Sequence, residues 1–414
     1  MHLNYRPIGE YIQLVDERNK GLKVQRLLGL SISKAFIPSV ANIIGTDMEN
    51  YKIIRKNQFA CSTMQVRRDK KMPIALLKDL DEAIISQAYP VFEIIDENQL
   101  LPEYLMMWFS REEFDRQACF HAVGGVRGSL EWEDFINLGL PVPSIQKQRE
   151  IIAEYNTIQN RINLNNQLIQ KLEETAQTIY KQWFVDFEFP DENGKPYKSS
   201  GGEMVESESG MIPKEWRVGT LNEIVNVIDG DRGNNYPSFE DLSNKGYCLF
   251  LNAGNVTKIG FDFTNTSFIS IEKDKALRKG KLQRNDVILT SRGTVGNVAF
   301  YSETIKFNDI RINSGMVILR NKPNMASTIF VYSLLRSVDM KNSIQNYLSG
   351  SAQPQLPIND LIKIPILIPK LNQIDKFSKI AIILQNQIVE FQNQNLKLND
   401  FDKLMLSRLA TIVK

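Results

Sequence analysis

Two stretches of the chain carry apolar residues at alternating steps of four and three. In the first the positions are Ile151, Tyr155, Ile158, Ile162, Asn165, Ile169, Leu172, Ala176, Ile179 and Trp183. In the second they are Phe377, Ala381, Leu384, Ile388, Phe391, Asn395, Leu398, Asp402, Met405 and Leu409, each 226 residues after its counterpart. A sustained 3.5-residue period without internal glycine or proline is the pattern of a long helix that supercoils with another. The alternative, two separate amphipathic surface helices, sits poorly with runs of about 33 residues (~50 Å), which exceed an ordinary globular helix. Long helices are therefore predicted over 144–186 and 370–414.

The polar members of the two seams predict how the helices run. In matched parallel register Asn165 would face Phe391 and Asn395 would face Ile169, leaving two buried amides unpaired at about 1–3 kcal/mol each. Antiparallel alignment sets Asn165 against Asn395, and a single polar pair of this kind fixes register. Asp402 then falls near Ile158, an apolar neighbour that the pattern does not explain. Antiparallel helices would place the segments feeding them at opposite ends of a rod, giving a pseudo-twofold object that offers nearly the same surface twice.

The rest of the chain also repeats. Asp134-Phe135-Ile136 and the Pro-Val-Pro ending at Pro143 match Asp360-Leu361-Ile362 and the Leu-Ile-Pro ending at Pro369, again at offset 226. Upstream, Asn57-Gln58-Phe59 resembles Asn285-Asp286-Val287 at offset 228, and residues 8–11 resemble 221–224 at offset 213. The second copy therefore carries an insertion, placed around 234–247. Residues 286–290 and 314–319 have the length and β-branched content of strands, and 101–109 and 329–335 are periodic as helices. The predicted class is α+β: two mixed α/β domains, 1–143 and 215–369, separated by two long helices forming an antiparallel coiled coil, with a linker over 187–214.

Composition and charge sharpen this only locally. With 414 residues the chain suits two domains plus connecting elements, and it has no apolar run near the roughly 20 residues a membrane helix needs. The start lacks a signal-peptide layout, so the expected location is cytoplasmic, without membrane association. Cys61, Cys119 and Cys248 lie far apart with no CxxC pair, so buried thiols are expected rather than a disulfide or a zinc site. Only two histidines occur, His2 and His121. The acidic stretch 203–208 is expected to be a mobile loop, and no metal site is expected.

A net charge of +2 averages over clusters, and clusters are what meet phosphates. One comprises Arg67, Arg68, Lys70 and Lys71; another, 273–284, includes Lys281 and holds six basic residues and one acidic. Glycine-punctuated loops at 123–128 and 291–296 could approach a ligand closely, and each includes an arginine, the side chain most often used to read guanine edges. Gly125 and Arg127 in the first loop and Ser291, Arg292 and Thr294 in the second are the candidate DNA contacts. Taken singly, each cluster is equally a solvated loop and each glycine loop equally an ordinary turn.

The segment after the first helix is the most distinctive. It runs Trp183-Phe-Val-Asp-Phe-Glu-Phe-Pro190, then Gly-Lys-Pro-Tyr-Lys-Ser-Ser-Gly-Gly-Glu-Met over 194–204, then Gly210-Met-Ile-Pro-Lys-Glu-Trp216. This resembles the central conserved region of specificity subunits of type I restriction-modification systems. The Gly-Ser-Ala-Gln-Pro-Gln-Leu run over 350–356, which supplies the further DNA-contact candidates Gln353 and Gln355, and the proline-flanked approach to each helix resemble that family too. The likeness covers residues 5–409.

The resemblance implies that each globular half is a target recognition domain for one part of a split, asymmetric site in double-stranded DNA, and that the helices set the unread spacer. It implies two methyltransferase subunits bound to the scaffold, with restriction subunits joining for cleavage. S-adenosylmethionine, ATP and magnesium would belong to those partners, leaving this chain without cofactor or catalytic residues. In accord with that, the sequence has no Walker lysine loop and no FxGxG or Asn-Pro-Pro-Tyr word. The rival readings are an enzyme with unrecognised motifs and a coiled-coil adaptor that does not touch DNA.

Overall fold

The protein is described by a computed structural model covering residues 5–39, 45–124, 128–350 and 353–411. It divides into two compact units, Met1–Asn163 with Lys397–Lys414, and Leu164–Leu396. The division cuts through both long helices, so each unit pairs a globular half with a length of both.

Both periodic stretches are helical, over Ile145–Phe184 and Leu371–Arg408. At 40 and 38 residues, ~60 Å at 1.5 Å per residue, they lie within the predicted 144–186 and 370–414. All twenty seam positions are buried or half-buried. In the second unit the helices run antiparallel, with Trp183 against Phe377 and Asn165 against Asn395. In the first unit the same sense holds: Gln159 Nε2 donates to Asp402 Oδ1 at 2.9 Å.

The asparagine pair is less reciprocal than the seam predicts. Asn165 Nδ2 donates to Asn395 Oδ1 at 2.8 Å, but Asn395 Nδ2 donates to Asn166 Oδ1 at 2.8 Å. The buried Asn165 Oδ1 has no partner among the described residues. Replacing both Asn165 and Asn395 by leucine should therefore raise the melting temperature, because an orphaned carbonyl worth about 1–3 kcal/mol leaves with them. A lowered melting temperature would show that the amide pair is net stabilising.

Asp402, the misfit of the seam, has a partner after all in Gln159. Burial pushes its carboxyl above the ordinary carboxylate range, and the Gln159 hydrogen bond only partly opposes this. A raised folded-state value means a favourable contribution below the unfolded pKa that is lost as pH rises through the folded one. Asp402→Asn is accordingly expected to raise the denaturation midpoint at neutral pH and to flatten its decline between acidic and neutral pH. An unchanged pH profile would rule this out.

The two globular halves share a four-stranded antiparallel sheet with the same connectivity. In the first unit the order is Ile12–Val15, Val91–Ile94, Phe59–Cys61, Ile74–Leu76. In the second it is Val225–Asp229, Met316–Asn321, Val287–Thr290, Val298–Phe300. Two helices follow the sheet in each, Pro102–Phe109 and Glu112–His121, then Thr328–Arg336 and Val338–Asn346. The predicted strands and helices thus lie where periodicity put them. The second half also holds a separate three-stranded sheet, Phe268–Ile269, Cys248–Leu251 and Ile310–Ile312, and within the span assigned to the insertion Ser243 bridges to Phe268 at its edge.

Aromatic residues fill both cores. Phe59 stacks on Phe92 with ring centroids 5.0 Å apart, and Phe109 and Phe135 close round them. In the second unit Tyr180, Trp183 and Phe184 of the first long helix surround Phe377 of the second. Two expectations fail here. The 203–208 stretch is a hairpin, Met204–Ser207 paired with Gly210–Pro213, with Glu203 bound to Lys214; β-pairing satisfies a backbone that its Gly and Ser neighbours suggested was free. Cys119 is half-buried rather than buried and donates to Val66 O, whereas Cys61 and Cys248 are buried.

Candidate nucleic-acid interface

At the end of each central strand the chain turns into a loop, and a hairpin from after the second short helix closes over it. In the second unit strand Val287–Thr290 leads into Ser291 and Arg292. The hairpin pairs Ser349 with Gln355, and Leu356 N–H donates to Ser291 O at 2.9 Å, while Gly293 N–H donates to Pro354 O at 3.2 Å. Arg292 and Gln355 are themselves bridged backbone to backbone. The arginine loop and residues 354–356 are therefore joined backbone to backbone.

The first unit repeats this construction. Strand Phe59–Cys61 leads through Thr63 to the short helix Val66–Asp69 carrying Arg67 and Arg68. The hairpin pairs Val123 with Ser129, and Leu130 N–H donates to Thr63 O at 2.9 Å. The Val123–Ser129 bridge is therefore the counterpart of the Ser349–Gln355 bridge, and the basic cluster at 67–70 is the counterpart of the Arg292 loop. Gly128 has φ +33°, and a Cβ there would stand 2.7 Å from Arg67 Cβ, so glycine lets the two strands of chain meet.

Not every predicted residue is equally placed. Arg67 is exposed and donates to Gly124 O at 3.3 Å, while Arg68 is held by Asp69 at 2.7 Å. Lys70, at φ +52°, lines a groove of about 1340 Å³ with Lys71 and Lys78. Gly125 and Arg127 lie outside the described residues, as does His2. Ser291 is buried, Thr294 is exposed with its carbonyl accepting from Thr290 Oγ1, and Gln353 is exposed while Gln355 is half-buried. Arg292 is half-exposed and, among the described residues, carries no ion pair.

Lys281 is the outlier. Its ammonium lies 2.8 Å from Asp274 and 2.7 Å from Asp309, and its charge is spent inside the domain. Much of the 273–284 cluster behaves alike: Lys273 pairs with Asp241, and Arg284 donates to Ser302 O, Ile305 O and Asn308. Counting charges along the sequence could not reveal carboxylates that folding brings in from elsewhere. His121 ends its helix exposed, beside the 81% exposed Phe120, two residues before the first hairpin.

The family described as Type I restriction modification DNA specificity domain matches residues 41–174 and 213–406. The chain belongs to that family. Among specificity-family relatives, it is 24% identical over 319 residues to the type I restriction enzyme MjaIX specificity subunit of Methanocaldococcus jannaschii, covering 77% of this chain and 70% of that one. It is 22% identical over 425 residues to the HindI specificity subunit of Haemophilus influenzae, covering 89% of each. In fold, it superposes with a TM-score of 0.54 and 15% identity on the crystal structure of a type I restriction-modification S subunit from M. genitalium, across 98% of this chain and 95% of that one. The second matched stretch contains the whole sheet-and-loop construction of its unit, and the first contains all of its own except the edge strand Ile12–Val15. Among the described residues no helix is long and apolar enough to cross a membrane.

Proposed function

We propose that this specificity-family chain is the non-catalytic DNA-reading scaffold of a type I restriction-modification complex. Each globular half reads one part of a bipartite, asymmetric site in double-stranded DNA, and the long helices set the unread spacer between the parts. Two methyltransferase subunits bind the scaffold, and restriction subunits join for cleavage. S-adenosylmethionine, ATP and magnesium act in those partners.

The observation that carries this reading is the loop pair, built twice at the same strand end and closed by the same hairpin. A base-reading surface needs arginine and amide donors held on a rigid frame, since bidentate contacts to guanine or adenine edges depend on fixed geometry. Arg292 and Gln353 sit on such a frame in the second half, and Arg67 in the first. With the complex assembled on its methyltransferase subunits, Arg292→Ala is expected to weaken binding to the cognate site by about 1–3 kcal/mol and to relax discrimination there. Equal binding of cognate DNA by the variant and the parent, in a titration at fixed salt, would count against it.

A further inference from the structure

Beside the Arg292 loop the second unit carries a cleft of about 300 Å³, lined by Asp231, Gly233, Asn234, Asn235 and Arg278. Its construction is specific. The buried Asp231 carboxylate accepts from Gly233 N–H at 2.8 Å and from Arg278 N–H at 2.6 Å, and these backbone donors hold it below the ordinary carboxylate range. One ionised side chain thereby ties residues 231–233 to residue 278. Gly230 packs so closely on the next turn that a Cβ there would collide with Asn313 O.

That turn connects the cleft to the reading loop. Arg232 Nη2 reaches Asp229 at 3.1 Å and Ser314 O at 3.4 Å. Gly315 O, one residue on, accepts from Ser291 N–H at 2.8 Å and Arg292 N–H at 3.2 Å. Arg278, Arg232 and Arg292 thus follow one another across a single backbone-linked surface. The Arg278 side chain is 77% exposed, lies over Gly233, and comes within 4.0 Å of the Asp231 carboxylate. Arg232 is exposed with one carboxylate, Asp229, beside it.

The first half is built differently at this place. At offset 213 the counterpart of residues 229–231 is Asp16-Glu17-Arg18. There Asp16 and Glu17 hold Arg18 and Arg55 at 2.8 and 2.7 Å, whereas Arg278 comes no nearer than 4.0 Å to Asp231.

We propose that Arg278 and Arg232 grip a backbone phosphate of the DNA whose bases the Arg292 loop reads, a contact confined to the second half. The inference rests on the DNA-reading function proposed above. An exposed guanidinium held over a backbone turn, away from the base-reading loop but on its surface, suits a phosphate: such contacts fix orientation and carry no sequence information. Asp231 acts as a positioning residue, holding the turn and not touching the DNA.

The test is a salt titration of DNA binding by the assembled complex, comparing the parent with Arg278→Gln and Arg278→Gln/Arg232→Gln. Both side chains are exposed, so the variants should fold. Both variants are expected to weaken cognate and unrelated DNA by the same factor, and the double variant, having lost the single phosphate contact, to shallow the slope of log affinity against log salt by about 1. The methylated motif should stay unchanged. An unaltered slope, or a motif that relaxes in the second half, would overturn the phosphate assignment. If the parent complex itself showed no preference for any site, the DNA-reading function would fail as well, and the two failures are told apart by that control.

Discussion

Replacing Arg336 by methionine is expected to destabilise the second unit by about 3–5 kcal/mol, the usual result of stripping one partner from a buried ion pair. Arg336 is 6% exposed and binds Glu173 of the first long helix at 2.8 Å; it also donates to Lys258 O at 2.8 Å and to the Tyr332 hydroxyl. The Glu173 side chain is only 19% exposed, so without the guanidinium its carboxylate stays out of water unpaired. Substituting both Glu173 and Arg336 by methionine should cost much less than Arg336→Met alone, because no charge is then stranded. Denaturant titration of the single and double variants measures the difference. Equal losses would mean that Arg336 acts through packing on Tyr332 rather than through its charge. Because Glu173 is on the first long helix and Arg336 on a helix of the second globular half, this pair fixes the two within one unit.

Phe377→Ala should cost a similar ~3–5 kcal/mol, through cavity formation. Phe377 is wholly buried, with the rings of Tyr180, Trp183 and Phe184 at 6.0, 6.0 and 5.0 Å. The four rings join the end of one long helix to the beginning of the other, so the loss should appear as fraying of both. Hydrogen exchange over residues 176–184 and 371–381 reads it directly. Protection lost on one helix only would show that the ring cluster does not couple them.

How much of this was legible beforehand depended on the range of the interactions. The long helices announce themselves because a 3.5-residue period repeated over ten positions is a local signal integrated over many turns. Their antiparallel sense was legible from two asparagines, since an unpaired buried amide is costly enough to decide between alignments. The detail was not: Asn166, one step off the seam, takes the amide of Asn395. The candidate interface was half legible. Arginine and glycine mark the loops, but only the fold shows that Pro354, Gln355 and Leu356 bond to the Arg292 loop and that Gly124 and Gly128 meet Arg67. Lys281 looked like part of a basic patch because Asp309, 28 residues on, is invisible to a local count. Arg278 was counted within the 273–284 cluster, but its association with Arg232 was not legible, because 46 residues separate the two and only a buried aspartate draws them together.

The most direct measurement is the methylated DNA motif in cells carrying the methyltransferase subunits with either the parent chain or a chain whose residues 291–296 and 350–356 are taken from another family member. The account predicts that one part of a split motif changes while the other part and the gap between them persist. A motif altered in both parts, or unaltered in either, would contradict it.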